Sequence, residues 1–173
     1  MNRFLRLGLL VAVSALSAAL LTGCAGYHVG PIFKGNYKTV AVPMFKNHTY
    51  RPQLEAQVTN ALIKRLQSDG TLQVVSADNA DVLLTGEITR YLRGELRSAH
   101  EETREPREYK LTIEVRISLR DQRTGQLILK PTLVTGSTET FIGSDLQSTE
   151  YQALPLIADD VARRAARLLT ESW

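Results

Sequence analysis

The sequence predicts an α+β fold, with two helices packed on one face of a four- to five-stranded mixed, mostly antiparallel sheet. Three patterns carry that expectation. A β-branched run, a helical stretch and a second apolar run follow one another between Thr39 and Val75. Apolar residues then alternate without a break from Tyr109 to Leu119, and a helical period fills the chain from Leu154 to Trp173. The composition agrees: 23% charged and 43% hydrophobic residues exclude a disordered tail and a multi-span membrane protein.

The chain opens on an address. Arg3 and Arg6 precede an apolar run from Leu7 to Leu21, which has signal-peptide form and is short of the roughly 20 residues a membrane span needs. Leu21-Thr22-Gly23-Cys24 closes it and resembles the bacterial lipobox, in which cleavage leaves an acylated cysteine. Residues 1–23 are therefore expected to be a lipoprotein signal peptide. Cys24 would carry the N-acyl diacylglycerol, palmitate included, and no other cofactor is expected. An uncleaved anchor with an incidental cysteine is the alternative. With a single cysteine, intramolecular disulfides and cysteine-clustered metal sites are excluded. The 21 Lys and Arg include two in this leader, so the rest nearly balance 18 Asp and Glu and leave no general nucleic-acid signal.

Residues 24–36 read as the lipidated cysteine and a short tether, reaching at most about 40 Å when extended. Residues 37–173 form the single domain. Thr39–Pro43 is a buried strand ended by proline. Pro52 stands where a first helical residue tolerates proline, and Leu54, Val58, Ala61, Leu62 and Leu66 recur at helical spacing until Asp69-Gly70. Leu72–Val75 is a second short strand, and this succession favours a parallel pair. Val82–Leu92 is a third, with Val82, Leu84, Ile88 and Leu92 on one face and Leu83 and Tyr91 on the other.

Arg93–Arg107 holds eight charges in 15 residues and reads as a solvated loop or a frayed hairpin end. From Tyr109 to Arg120 one face is dry and the other carries Lys110, Glu114, Arg116 and Arg120, so a one-residue slip would bury charge. Asp121–Gly125 is a turn whose glycine needs a positive φ, and Leu127–Thr140 returns as the hairpin partner, with Pro131 marking a bulge or an edge. Ser144 to Gln147 has capping-box spacing. Ile157, Ala158, Val161, Ala165, Leu168 and Leu169 mark the last helix, which Pro155 either starts or kinks.

Catalytic parts are missing from the sequence. No Gly-x-Ser-x-Gly elbow, paired histidines, phosphate loop or dinucleotide fingerprint occurs, so no enzyme and no metal site is predicted. Asp159 and Asp160 read as the wet face of the last helix beside Arg163 and Arg164, and Asn47-His48-Thr49 as a chance match to a glycosylation acceptor. Arg90, Arg93, Arg97, Arg104 and Arg107 are candidate phosphate ligands through bidentate hydrogen bonds, although Glu95, Glu101, Glu102 and Glu105 are interleaved with them. A self-neutralised soluble loop is the equal alternative. Lys110, Arg116 and Arg120 form a second basic stripe.

Gly26-Tyr27-His28 after the cysteine, Ala41–Asn47 (AVPMFKN), Arg107–Leu111 (REYKL), the Asp121–Gly125 turn and the final helix resemble, in order and spacing, the LPS-assembly lipoprotein family, LptE. That resemblance implies an outer-membrane lipoprotein of the inner leaflet facing the periplasm and the lumen of a β-barrel partner, LptD, which it plugs and helps assemble while touching lipopolysaccharide in transit. Ala25 before Gly26-Tyr27-His28 and the lack of Lys or Arg from Phe141 to Glu150 depart from the pattern and shift lipopolysaccharide contact onto the arginines before Tyr109. Lipoprotein activators of peptidoglycan synthases, with similar small α+β domains, are the second reading; their long tethers are unlike the brief one here.

Overall fold

The computed structural model describes residues 37–97, 107–142 and 145–171. The strands are β1 (Thr39–Ala41), β2 (Lys46–Asn47), β3 (Gln73–Val74), β4 (Val82–Arg97), β5 (Arg107–Asp121) and β6 (Leu127–Ile142), and the helices α1 (Leu54–Asp69) and α2 (Leu146–Glu171). They form one six-stranded sheet ordered β3-β1-β4-β5-β6, with β2 beside β4 further along the same edge as β1. The architecture is the predicted α+β, with one more strand than the upper expectation because the run before Pro43 resumes as β2. The β1 and β2 pairings are parallel and the β4-β5-β6 meander is antiparallel.

β1, α1 and β3 make the expected parallel unit. Leu54, Val58, Leu62 and Leu66 are buried against the sheet, and Gly70, at φ 73°, closes α1 by returning its N–H to Leu66 O at 3.1 Å. The start differs from expectation. Pro52 lies outside the helix because Gln53 takes a left-handed conformation, φ 67°, and α1 begins at Leu54.

β5 follows its alternation: Leu111, Ile113, Val115, Ile117 and Leu119 are fully buried while Lys110, Arg116 and Arg120 are exposed. Asp121 accepts the N–H groups of Arg123 and Thr124, which bends the chain, and Gly125 completes the turn at φ 71°. β6 is an edge strand whose register slips beside Pro131, so both readings of that proline hold.

β4 departs from its pattern. Thr89 is an extra residue between the pairs Ile88–Val115 and Arg90–Glu114, and this bulge reverses the alternation beyond it. Leu92, expected on the dry face, is therefore exposed, and Tyr91 and Arg93 turn to the helix side. β4 also runs on to Arg97, so the predicted loop from Arg93 is partly strand.

α2 begins at Leu146, earlier than the periodicity indicated. Asp145 caps it, its carboxylate accepting the Gln147 N–H at 3.0 Å; Ser144, where the expected capping box begins, lies outside the described residues. Of the two readings left open for Pro155, the one that starts the helix there is excluded. Pro155 lies exposed within α2, where the carbonyl it leaves unbonded can turn to water. Ala153, Ala158, Ala162, Ala165 and Ala166 are buried, and these small side chains let α2 approach both α1 and the sheet.

Asp160 corrects the wet-face reading. Its side chain is 13% exposed, accepts the Ser137 N–H of β6 at 3.0 Å and holds Arg163 and Arg164 at 2.8 and 2.9 Å. Burial alone would raise its carboxyl, but the amide and the two guanidiniums outweigh that and hold it below the ordinary 3.8. A depressed carboxylate contributes stability that is complete above the unfolded value and is lost as pH falls through the folded one. Lowering the pH from neutral to below 3.8 should therefore reduce the urea midpoint more in the wild type than in Asp160→Asn; parallel losses would remove this role.

Candidate functional site

The charged residues gather at a corner where three elements meet. The first is the loop between β2 and α1. Asn47 shapes it with its whole amide: Nδ2 donates to Arg51 O at 2.7 Å and to Glu55 at 2.8 Å, and Oδ1 accepts from the N–H and hydroxyl of Thr49. The Asn-x-Thr triplet is thus a turn device, which its reading as a chance glycosylation match missed. The second element is the bulged stretch of β4, and the third is the N-terminal part of α2, at Glu150 and Tyr151.

At their junction Glu150 is 4% exposed and accepts from two arginines, Arg51 at 3.0 Å and Arg93 at 2.9 Å. Arg51 also stands 5.7 Å from the Tyr91 ring centroid, within cation–π range. Burial, and then the Glu150 carboxylate, raise the Tyr91 phenol above 10.0. Its hydroxyl is buried without a hydrogen-bond partner among the described residues. Tyr151, next on α2, donates to Gln53 at 2.7 Å and so holds the left-handed residue that starts α1. A cleft of about 410 Å³ opens beside this corner, between His48–Arg51 and Thr89–Leu92.

The predicted ligands are divided by this geometry. Arg93, still part exposed, is engaged on the helix side by Glu150. Arg90, Lys110, Arg116 and Arg120 share the helix-free face, as their cross-strand register shows. Arg90 lies 3.6 Å from Glu114, Arg116 3.9 Å from Glu87, and Arg120 donates to Gly125 O at 2.7 Å. These exposed pairs are worth little and are free to exchange for another anion. Arg97 and Arg107 sit at the far ends of β4 and β5, while Cys24 and Arg104 lie outside the described residues. Arg51, Glu150 and Tyr91 were not singled out as site residues from the sequence: Arg51 and Glu150 meet only through the packing of the β2–α1 loop on α2, and the bulge at Thr89 turns Tyr91 and Arg93 toward them. The helix-free face also holds a groove of about 700 Å³ between Met44 and Pro131, with Lys46, Glu87 and Arg116 along it. Among the described residues no acidic or histidine cluster suits a metal ion, and no helix is long and apolar enough to cross a membrane.

Residues 37–171 match the family model LptE, lipopolysaccharide-assembly. The chain belongs to this LptE family. Membership makes it a lipoprotein of lipopolysaccharide assembly at the outer membrane, in a family of non-enzymatic proteins. No curated protein matches the sequence. Solved structures share the fold. A minor lipoprotein of Acinetobacter baumannii superposes with a TM-score of 0.53 at 17% identity, over 79% of this chain and 94% of that one. Protein CT253 of Chlamydia trachomatis gives 0.53 at 14%, over 76% and 95%, and lipoprotein B of Nitrosomonas europaea 0.52 at 12%, over 85% and 92%. At these identities the likeness is one of fold alone.

Proposed function

We propose that this LptE-family chain is held by acyl groups on Cys24 in the inner leaflet of the outer membrane, plugs and helps assemble the β-barrel translocon LptD, and aids delivery of lipopolysaccharide through it. The family match, running through the whole described domain, carries the reading. The fold is consistent with a plug: one sheet face is covered by helices, and the other is left open with Leu133 and Phe141 exposed among polar neighbours. Such a face can meet a polar barrel wall. The brief tether expected from the sequence keeps the domain beside the lipid that holds it. Affinity purification of the full-length protein from detergent-solubilised outer membranes should recover a large β-barrel; a peptidoglycan synthase without a barrel would overturn the assignment.

Lipopolysaccharide contact is assigned to the end of the β4–β5 hairpin. The arginines closer to the sheet centre, Arg90, Arg93, Arg116 and Arg120, have acceptors within the fold, and the remaining candidates are Arg97 and Arg107 at the ends of β4 and β5, exposed Lys110 on β5, and Arg104, which falls between the two strands in sequence. Changing Arg97, Arg104 and Arg107 together to Glu should weaken lipopolysaccharide binding by about tenfold or more, since like-charge placement against phosphate costs several kcal/mol. Unchanged binding would make the hairpin end a solvated surface only.

A further inference from the structure

α2 is held to the domain in two different ways. In its longer, C-terminal part the contacts are apolar, with Leu154, Ile157, Val161, Ala165 and Leu169 buried in the core. In residues 145–152, Glu150 alone is buried among the described side chains. This segment is fastened by polar groups: Glu150 accepts from Arg51 and Arg93, and the Tyr151 hydroxyl donates to Gln53. On release both partners of each pair regain water, unlike a truncation that strands one of them, so letting go costs less than exposing core.

The fastened arrangement also carries three local penalties. Pro155 has no N–H, so the Tyr151 carbonyl four residues earlier lacks its helical donor, and the helix is weakest where its polar and apolar parts join. Gln53, which receives the Tyr151 hydroxyl, is the one non-glycine residue at positive φ among the described residues, at 67°, a conformation that a side chain with a Cβ disfavours. The Tyr91 hydroxyl, near enough to Glu150 to feel its charge, is buried without a hydrogen-bond partner among the described residues. Weak fastening, a break at the root and strain at the contacts together define a unit that opens locally.

We propose that residues 145–152 form a strap, hinged at Pro155, which opens while the rest of the domain stays folded and uncovers Arg51, Arg93 and Tyr91 as an extension of the adjoining cleft. Arg51 and Tyr91 already stand in the wall of that cleft. Opening adds Arg93 and withdraws Glu150, the carboxylate that both guanidiniums share. The other charges of the corner keep their partners, Arg90 with Glu114 and Glu55 with Asn47. The strap therefore governs how much uncompensated positive charge the corner presents. The device depends neither on the barrel nor on lipopolysaccharide contact at the hairpin end.

Native-state amide hydrogen exchange of the full-length protein in detergent tests this. After correction for intrinsic rates, residues 149–152 should exchange at least about tenfold faster than residues 161–169. Low urea should change the strap's exchange little, because opening it exposes little apolar surface. Tyr151→Phe should speed strap exchange about fivefold. Pro155→Ala should slow it about tenfold or more, by returning a donor to the Tyr151 carbonyl. Modification of Arg51 by phenylglyoxal, mapped by mass spectrometry, should slow in Pro155→Ala by the same factor. Strap exchange that matched residues 161–169 in rate and urea dependence would overturn the proposal, and so would strap exchange indifferent to Pro155→Ala. Arg51 modification unchanged in that variant would show that opening does not uncover the corner, which overturns it equally. Failure of the barrel to co-purify would leave these readouts untouched.

Discussion

Glu150→Ala is expected to lower stability by about 3 kcal/mol, or roughly 10 °C in melting temperature for a domain of this size. The reason is the asymmetry of a buried ion pair. Removing the carboxylate leaves Arg51 and Arg93, whose side chains are 21% and 45% exposed, facing each other across an uncompensated gap. Arg93 regains water more readily than Arg51, so the loss falls at the lower end of what breaking a buried pair costs. Glu87→Ala is the internal comparison. Glu87 also meets two basic residues, His48 at 4.0 Å and Arg116 at 3.9 Å, but at 40% exposure its loss should move stability by no more than about 0.5 kcal/mol. Thermal unfolding followed by circular dichroism separates the two. In a double-mutant cycle, Arg51→Ala should recover part of the Glu150→Ala loss, because it removes the stranded charge. Similar melting temperatures for the Glu150 and Glu87 variants would mean that the corner is not held as described.

That corner also shows where the sequence stops being legible. β5 was readable because a face that is dry at every second residue admits one register. The turn at Asp121–Gly125 was readable because its backbone needs an acceptor at one end and a left-handed residue at the other. The strand-helix-strand unit followed from spacing alone. The bulge at Thr89 had no such signal. Thr89 is an ordinary strand residue, and the extra position exists only in relation to β5, whose pairing the sequence of β4 does not contain. One inserted residue was enough to turn Arg93 to the helix side, where it pairs with the buried Glu150 carboxylate, and to exchange the environments of Tyr91 and Leu92. Asp160 was misassigned for a related reason. Its neighbours at helical spacing explain Arg163 and Arg164, but its third partner, Ser137, comes from a strand 23 residues earlier. The start of α2 was marked by the capping-box spacing at Ser144–Gln147 and not by apolar periodicity, which shows only where the helix packs, since its first turns run over partly polar sequence.

Gly136→Ala is the second substitution with a large expected effect, about 3 kcal/mol, and it acts through contact and not through backbone strain. A Cβ at Gly136 would lie 2.5 Å from Val161 Cγ2, 2.8 Å from Val161 N and 3.0 Å from Ile157 O. Two of these three atoms belong to the backbone of α2, so no rotamer change makes room and the helix must lift from β6. Val161→Ala in the same chain should therefore rescue only the part due to the methyl group. Gly86 provides the contrast: its neighbours are all ring atoms of Phe45, so shrinking Phe45 should relieve more of the Gly86→Ala overlap, at the cost of the cavity it leaves. Gly125, at φ 71° with nothing within 4 Å, should lose only about 1 kcal/mol on conversion to alanine. The lifted helix has a second signature. Ser137 follows Gly136 directly, and its N–H to Asp160 at 3.0 Å cannot survive the displacement. Gly136→Ala should thus lose the acid-dependent stability assigned to Asp160 as well as the packing, a coupling that denaturation at neutral and acidic pH would reveal. If the variant melted with the wild type and kept its acid dependence, α2 would not rest on β6 at this distance.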